Sequence, residues 1–267
     1  MGGNIHSSWK VEFGDRTYFV KKNIRAQKLL NFEKKCLIKL KVFTNNDLIY
    51  VPEVIKYFMF ENSEFLIMEW IDMKNKDQGK LGNGLAGMHL LSGKSSPKKY
   101  GYPDQGFIGT NKQLKGFEVD WADCFINLRI VPQMLMLGKQ FSNAELIQAI
   151  KNKIRIILSG HNPDISLVHG DLWSGNVGVD NNNKGIIFDP ACWWADAEVD
   201  IAMTKLFGAF REEFYTEYNK LISPKEGSEK RMVVYNFYHI LNHANMFQGY
   251  YLNEVENYIQ SILSYKK

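Results

Sequence analysis

The stretch HGDLWSGN, residues 169–176, sets an imidazole, a carboxylate, a hydroxyl and an amide close together, directly after the apolar run ISLV. Asp171 and Asn176 are five positions apart, and Asp189 closes a second apolar run, GIIF, eighteen positions beyond Asp171. One carboxylate can accept a proton from an attacking hydroxyl. An amide oxygen and a second carboxylate are hard ligands suited to Mg²⁺. Phosphoryl transfer is governed by positioning and charge neutralisation, so a base and two oxygen ligands suffice for it. The competing reading of 169–176 is a turn whose Asp171, Ser174 and Asn176 cap backbone groups; it leaves Asp189 without a purpose.

A phosphate donor needs a cation. Lys21 lies at the end of an apolar-polar strand pattern, and Glu33 falls on the helical stretch that follows. A strand lysine neutralises nucleotide phosphates when a helix glutamate orients it. Lys22 competes with Lys21, because neighbouring strand residues face opposite ways and alternation does not choose between them. Gly2 and Gly3 precede the first strand and would let backbone approach a phosphate. The run FLIMEWI, 65–71, which holds Met68, Glu69 and Ile71, leads directly into a polar linker, where kinases place the segment whose backbone groups hydrogen-bond adenine.

These residues need elements to position them. WKVEF and TYFVK alternate around GDR, which predicts a hairpin over 9–22. Helical spacing over 25–41 puts Leu29, Phe32, Cys36, Leu37 and Leu40 on one stripe. VPEVIKYFMF and FLIMEWI predict two further strands, so the chain opens β-β-α-β-β. DMKNKDQGK is a linker. Helices are expected at 80–91, 118–138, 143–158, 198–220 and 229–247, with short strands inserted over 165–190 and a loop at 93–103. The fold class is therefore α+β and bilobal: a small nucleotide-binding lobe (1–71), a hinge (72–79), and a larger, mainly helical catalytic and substrate-binding lobe (80–267) with a β-hairpin catalytic insert.

Composition removes other classes. No apolar run is long enough for a membrane helix, and MGGNIHSSWK lacks the apolar stretch of a secretion signal. Three scattered cysteines, Cys36, Cys124 and Cys192, give no disulfide framework or zinc ligand pair and fit a reducing cytoplasm. The net charge of +4 comes from dispersed residues, so neither nucleic acid nor a membrane surface is an expected partner. A monomer is expected.

With these residues in place, the chain resembles the fructosamine kinase (ketosamine-3-kinase) family, relatives of the aminoglycoside and choline kinases with a protein-kinase-like fold. The resemblance rests on GGNI, YFVKKN (18–23), FEKKCLIKL (32–40), LIMEWI (66–71), LGNGLAGMH (81–89), GTNKQ (109–113) and DWADCFINLRI (120–130). HGDLWSGN, FDPA (188–191), EVDIAMTKLFGAF (198–210) and LNHANMF (241–247) complete it. HGDLWSGN followed by DPA and LFGAF is its most specific part. The resemblance implies that Lys21, rather than Lys22, is the phosphate lysine, with Glu33 as its partner. It also implies Asp171 as catalytic base, Asn176 and Asp189 as Mg²⁺ ligands, and backbone at Glu69 and Ile71 as the adenine clamp. Asp200 would brace the catalytic loop beside His169. The implied reaction moves the γ-phosphate of ATP to the 3-hydroxyl of a ribulosamine, erythrulosamine or fructosamine, which destabilises the glycation adduct and so repairs the amine. Departures are a start almost on the glycine loop, Asn4 where some relatives carry a cysteine of redox-sensitive dimerisation, and Phe117 where tryptophan is common.

Further candidates carry two readings each. Trp173, Trp193, Trp194 and His243 could line the sugar site, although Trp193 and Trp194 would serve equally as buried aromatics. His239 and His243 have zinc-compatible spacing but lack a nearby glutamate, which favours hydrogen-bonded core histidines. Asp196 and Glu198 could bind the substrate amine or cap a helix. Two rivals to a kinase remain: a metal-dependent hydrolase built on His169, Asp171 and Asp189, and a nucleotide-binding pseudokinase. The first ignores the β-β-α-β-β lobe, and the second ignores the intact Lys21, Asp171, Asn176 and Asp189.

Overall fold

The computed structural model describes residues 6–24, 28–74 and 77–266. Gly2, Gly3 and Asn4 lie outside them, as do the three residues before Lys28 and two of the linker. The hairpin forms as β1 (Ser7–Phe13) and β2 (Arg16–Asn23), turning at Gly14. Helix α1 (Leu29–Lys41) follows, with the anticipated stripe of Leu29, Phe32, Cys36, Leu37 and Leu40 buried. Then come β3 (Ile49–Tyr50), β4 (Val54–Phe60) and β5 (Ser63–Glu69), and the first sheet has the order β1-β2-β5-β4. Its inner face carries Lys21, paired with Leu66 of β5, above α1. Buried Glu64 ties the helix to that sheet, accepting from Asn23 Nδ2 at 2.9 Å, Leu30 N at 3.4 Å and Tyr57 Oη at 3.0 Å. It fixes the helix that presents Glu33.

The larger lobe begins with α2 (Gly79–Lys94) and a set of short strands, β6 (Tyr100–Tyr102), β7 (Gly106–Ile108), β8 (Asn111–Gln113) and β9 (Gly116–Glu118). Helix α3 (Trp121–Phe125), a π-helical turn (Ile126–Ile130), α4 (Val131–Met136) and α5 (Ala144–Leu158) lead to β10 (Ile165–Val168), β11 (Val177–Val179), β12 (Gly185–Ile187) and β13 (Trp193–Asp196). Helices α6 (Glu198–Leu206), α7 (Glu212–Asn219), α8 (Ser228–Phe247) and α9 (Tyr250–Ser264) complete the lobe. The result is the α+β, bilobal, protein-kinase-like architecture.

Several elements differ from the sequence expectation. The expected helix over 198–220 is broken between α6 and α7, because Gly208 adopts φ +82° and stops the first segment. Helix α9 was not anticipated, although Val255, Ile259 and Ile262 form a buried stripe along it. The loop assigned to 93–103 contains β6, which pairs with β13 and β9. The insert over 165–190 is not one unit: β11 and β12 form the hairpin, whereas β10 pairs with β13 in a separate sheet. The two-residue β3 runs parallel to β12, so the segment between α1 and β4 reaches into the β11–β12 hairpin of the larger lobe. Short strands of this kind carry too little periodicity to read from sequence.

Candidate active site

Strand β10 ends at Val168, and the loop that follows folds against the segment after β12. Ala191 N donates to His169 O at 2.9 Å, and Phe188 N donates to Asn176 O at 3.1 Å. Gly170 lies at φ +84°, and a Cβ there would collide with the Ala191 carbonyl, so this crossing admits only glycine. Asp189 itself has φ +58°, a left-handed conformation that costs energy in a non-glycine residue and often marks a functional position.

Two buried residues fix the loop. Asp200, fully buried at the start of α6, accepts from His169 N at 2.7 Å and Gly170 N at 2.8 Å, and its Oδ2 also takes His89 Nε2 at 3.1 Å. Burial alone would raise the Asp200 carboxyl, but these donors, His89 foremost, hold it below the usual range. His169 uses both ring nitrogens. Its Nε2–H donates to the Phe188 carbonyl at 3.0 Å, and its Nδ1 accepts from Asp171 N at 3.3 Å. That tautomer needs a neutral ring, which burial favours by lowering the His169 pKa. His169 thus joins the loop carrying Asp171 to the strand end carrying Asp189.

Asn176 directs its amide nitrogen at Asp171, to the backbone carbonyl at 2.9 Å and to Oδ2 at 3.2 Å. Its Oδ1 has no donor among the described residues and lies in the cleft. Burial, and then the charge of Asp189, push the Asp171 carboxyl up to about 7. Across the cleft, Lys21 Nζ donates to Glu33 Oε1 at 2.8 Å and also pairs with Asp189 Oδ1. Burial opposes the lysine's charge, but Asp189 and Glu33 outweigh it and raise its pKa, so Lys21 is a fixed cation. Burial pushes Glu33 upward despite the lysine beside it. Lys22 lies on the opposite face of β2, its ammonium 5.6 Å from the Phe65 ring centre.

These groups share one cleft of about 680 Å³. Met68, Glu69, Trp70 and Ile71 form one wall of it. Glu69 N–H and Trp70 N–H are engaged by the carbonyls of Glu53 and Thr17, at 3.1 and 3.3 Å. Ile71 N–H has no such partner among the described residues. The other end of the cleft is aromatic: Trp173, Phe207, His243, Phe247 and Tyr251. The His243 ring centre lies 4.5 Å from that of Phe207 and 5.1 Å from that of Tyr251. Its Nδ1 faces the His239 carbonyl at 2.9 Å, and a carbonyl only accepts, so Nδ1 carries the proton. Burial lowers the His243 pKa, which leaves a neutral ring with Nε2 as an acceptor.

Of the residues expected at the sugar site, Trp173 and His243 line the cleft, and Trp193 and Trp194 do not. Trp193 is fully buried, 5.8 Å from Trp121 between ring centres, with the Arg129 guanidinium 4.0 Å over it. Trp194 packs against Phe43 and Lys39. Both belong to β13, whose pairing with β10 and β6 turns them into the core. Asp196 and Glu198 are likewise outside the cleft: Asp196 accepts from Glu198 N at 3.0 Å as a helix cap, and Glu198 pairs with Arg231. His239 is buried and, among the described residues, neither ring nitrogen has a hydrogen-bond partner, so it is not the hydrogen-bonded core histidine expected; no third His, Cys, Asp or Glu among the described residues groups with it and His243 as metal ligands. The sequence reading missed Phe207, Phe247 and Tyr251. Phe207 was visible within LFGAF, whereas Tyr251 belongs to the unanticipated α9.

The sequence model of the fructosamine kinase family matches residues 1–265. The chain belongs to the fructosamine kinase family. It is 35% identical over 268 residues to a probable ketoamine kinase of Vibrio parahaemolyticus, covering 99% of this chain and 91% of that one. A chloroplastic protein-ribulosamine 3-kinase of Oryza sativa (japonica) is 31% identical, with 98% of this chain and 77% of the relative covered. A crystal structure assigned as a fructosamine-3-kinase of Haemophilus somnus superposes with a TM-score of 0.86 at 29% identity, covering 97% of this chain and 88% of that one. The chain is thus a kinase, a phosphotransferase with an alcohol acceptor. Among the described residues no helix is long and apolar enough to cross a membrane.

Proposed function

We propose that this kinase transfers the γ-phosphate of ATP to the 3-hydroxyl of a ketosamine, a ribulosamine, erythrulosamine or fructosamine, with Asp171 as base. The observation that carries the reading is the convergence of Lys21–Glu33, Asp171–Asn176 and Asp189 in one cleft. Residues 1–71 and 80–267 act as the two lobes and 72–79 as the hinge. Ile71 N–H, without a partner among the described residues, meets adenine together with backbone at Met68 and Glu69. Lys21, held cationic between two carboxylates, neutralises the phosphates, and Glu33 keeps it in place.

The donor set suits Mg²⁺: among the described residues Asn176 Oδ1 has no hydrogen-bond donor, and the Asp189 side chain is 38% exposed, so both residues offer hard oxygen ligands at the cleft they line. When bound, Mg²⁺ neutralises phosphate charge. Asp171 receives the proton of the attacking hydroxyl, and a carboxyl whose pKa lies near neutrality is matched to that task. Asn176, bonded to Asp171 Oδ2, keeps the carboxylate in one orientation. His169 and Asp200 hold the loop and take no part in proton transfer.

The aromatic end of the cleft binds the substrate. Ring faces of Trp173, Phe207 and Tyr251 accept the carbon backbone of the sugar and its attached ammonium. His243 Nε2 accepts a hydrogen bond from a substrate hydroxyl or N–H. The repair role follows from the position of the new phosphate, which destabilises the glycation adduct. A labelled-phosphate transfer assay against ketosamines, aminoglycosides and choline tests the substrate. Transfer to ketosamines is expected; transfer only to choline or an aminoglycoside would remove the ketosamine assignment.

A further inference from the structure

We propose that the side chain of His6 is a phosphate-binding residue, donating an imidazole N–H to the terminal phosphates of ATP; this rests on the kinase reading above. His6 directly precedes β1, whose register pairs Ser8 with Lys21. Ser8 shares the face of Lys21, its partner in the register, and His6 sits in the bend that leads into this strand end. Both line the cleft, together with Lys21, Glu33, Asp171 and Asp189. The imidazole therefore occupies the small-lobe side of the space in which Lys21 meets Asp189.

His6 Nδ1 is buried and has no hydrogen-bond partner among the described residues. Buried polar atoms are nearly always satisfied, and an exception inside a cleft that binds an anion points to the ligand as the missing partner. The neighbouring charged groups are already paired with one another. Lys21 is held by Glu33 and Asp189, and Glu64 by Asn23 and Tyr57. Burial first, then the Lys21 charge, favour the neutral ring, which keeps one N–H to donate and adds no cation beside Lys21. A hydrogen bond to a charged phosphate oxygen is stronger than one between neutral groups. His6 thus supplies a directional contact where Lys21 supplies charge, and it senses phosphate without touching the base.

Calorimetric titration of ATP, ADP and adenosine in Mg²⁺ buffer into the full chain tests this. His6→Ala is expected to weaken ATP about tenfold or more, since hydrogen bonds to charged groups are the costly ones to lose, and to leave adenosine unchanged. His6→Gln, which keeps an N–H donor, is expected to recover most of the ATP affinity and serves as the second variant should His6→Ala fold poorly. Equal ATP affinity in His6→Ala and wild type would overturn the proposal. So would a parallel loss of adenosine binding, or a His6→Gln variant no better than His6→Ala. Wild-type protein that shows this His6-dependent ATP binding but phosphorylates no ketosamine would keep the phosphate contact and sink only the substrate assignment.

Discussion

Two buried ion clusters in this molecule use the same side-chain chemistry to opposite ends. In the cleft, Lys21 is shared by Glu33 and Asp189. At a separate cavity, which Asp196 and Glu198 line, Arg231 grips Glu198 through Nε at 2.8 Å and Nη2 at 2.7 Å. Next to it Asp196 accepts from His161 at 2.6 Å and from Tyr235 at 2.7 Å. His161, Asp196 and Glu198 are close enough to suggest a metal site. Their oxygens, however, already have protein donors, and the arginine supplies the countercharge. The cleft cluster lacks that closure: among the described residues Asn176 Oδ1 has no donor, and Asp189 remains partly exposed. Proximity of charged groups therefore does not identify a site, and an unpartnered atom alone does not either, since His239 and Trp193 carry such atoms in the core. Incomplete coordination that faces a cleft does, because a ligand can only complete what it can reach.

The comparison can be broken by mutation. Asp171→Asn carries the largest expected effect, a loss of turnover on the order of 10²–10⁴ with ATP affinity within a few-fold of wild type. Single-turnover kinetics and nucleotide titration separate the two quantities, and near-normal turnover would remove Asp171 as base. Lys21→Met should reduce kcat/KM by about 10²–10³, the typical result of removing one donor aimed at developing charge, with a smaller change in melting temperature. Arg231→Met should do the reverse, destabilising the fold by roughly 2–3 kcal/mol because it strands a partly buried carboxylate, while each folded molecule keeps its activity. If thermal melts and initial rates showed Arg231→Met active-site-dead but stable, the two clusters would not differ in the way described here.

Smaller effects sharpen the contrast. His243→Ala is expected to raise KM for a ketosamine about tenfold with little change in KM for ATP, since a hydrogen bond and one ring face are lost. His243→Gln, which keeps an acceptor, should recover part of it. The smallest effect concerns stability and pH. Asp171 has a folded pKa raised to about 7 from the model-compound value of 3.8, so between these values the folded state binds more protons than the unfolded one. Stability contributed by this group is therefore present at low pH and is lost as pH rises toward 7. Asp171→Asn removes the penalty, and nucleotide-free protein carrying it should gain roughly 1–3 kcal/mol over wild type at pH 8 but little at pH 4. Denaturant titration at both values measures the difference.

Much of the site was legible because its members lie at fixed short spacings. HGDLWSGN supplies Asp171 and Asn176 on one turn, and an apolar run ends at Asp189. Alternation in β2 and helical spacing in α1 bring out Lys21 and Glu33, but alternation left Lys21 and Lys22 equivalent. The sheet decides between them by turning Lys21 toward α1 and Lys22 toward Phe65. Trp193 and Trp194 show the reverse failure. They follow the DPA segment closely and looked like site residues, yet β13 joins a sheet and takes both into the core.

The sequence by itself determined the groups available: two carboxylates, an amide and a lysine in an order that suits phosphoryl transfer, set in motifs that belong to the fructosamine kinase family. Local spacing suffices for that, since residues a few positions apart on a loop or strand end have few places to go. Only the tertiary structure decided which groups are left incomplete. Among the described residues Asn176 Oδ1, Ile71 N–H and His6 Nδ1 lack partners, whereas Asp196 and Glu198 have theirs, and that depends on contacts between residues far apart in sequence. Hydrogen-bond satisfaction is a property of the packed chain, so no periodicity or motif encodes it residue by residue.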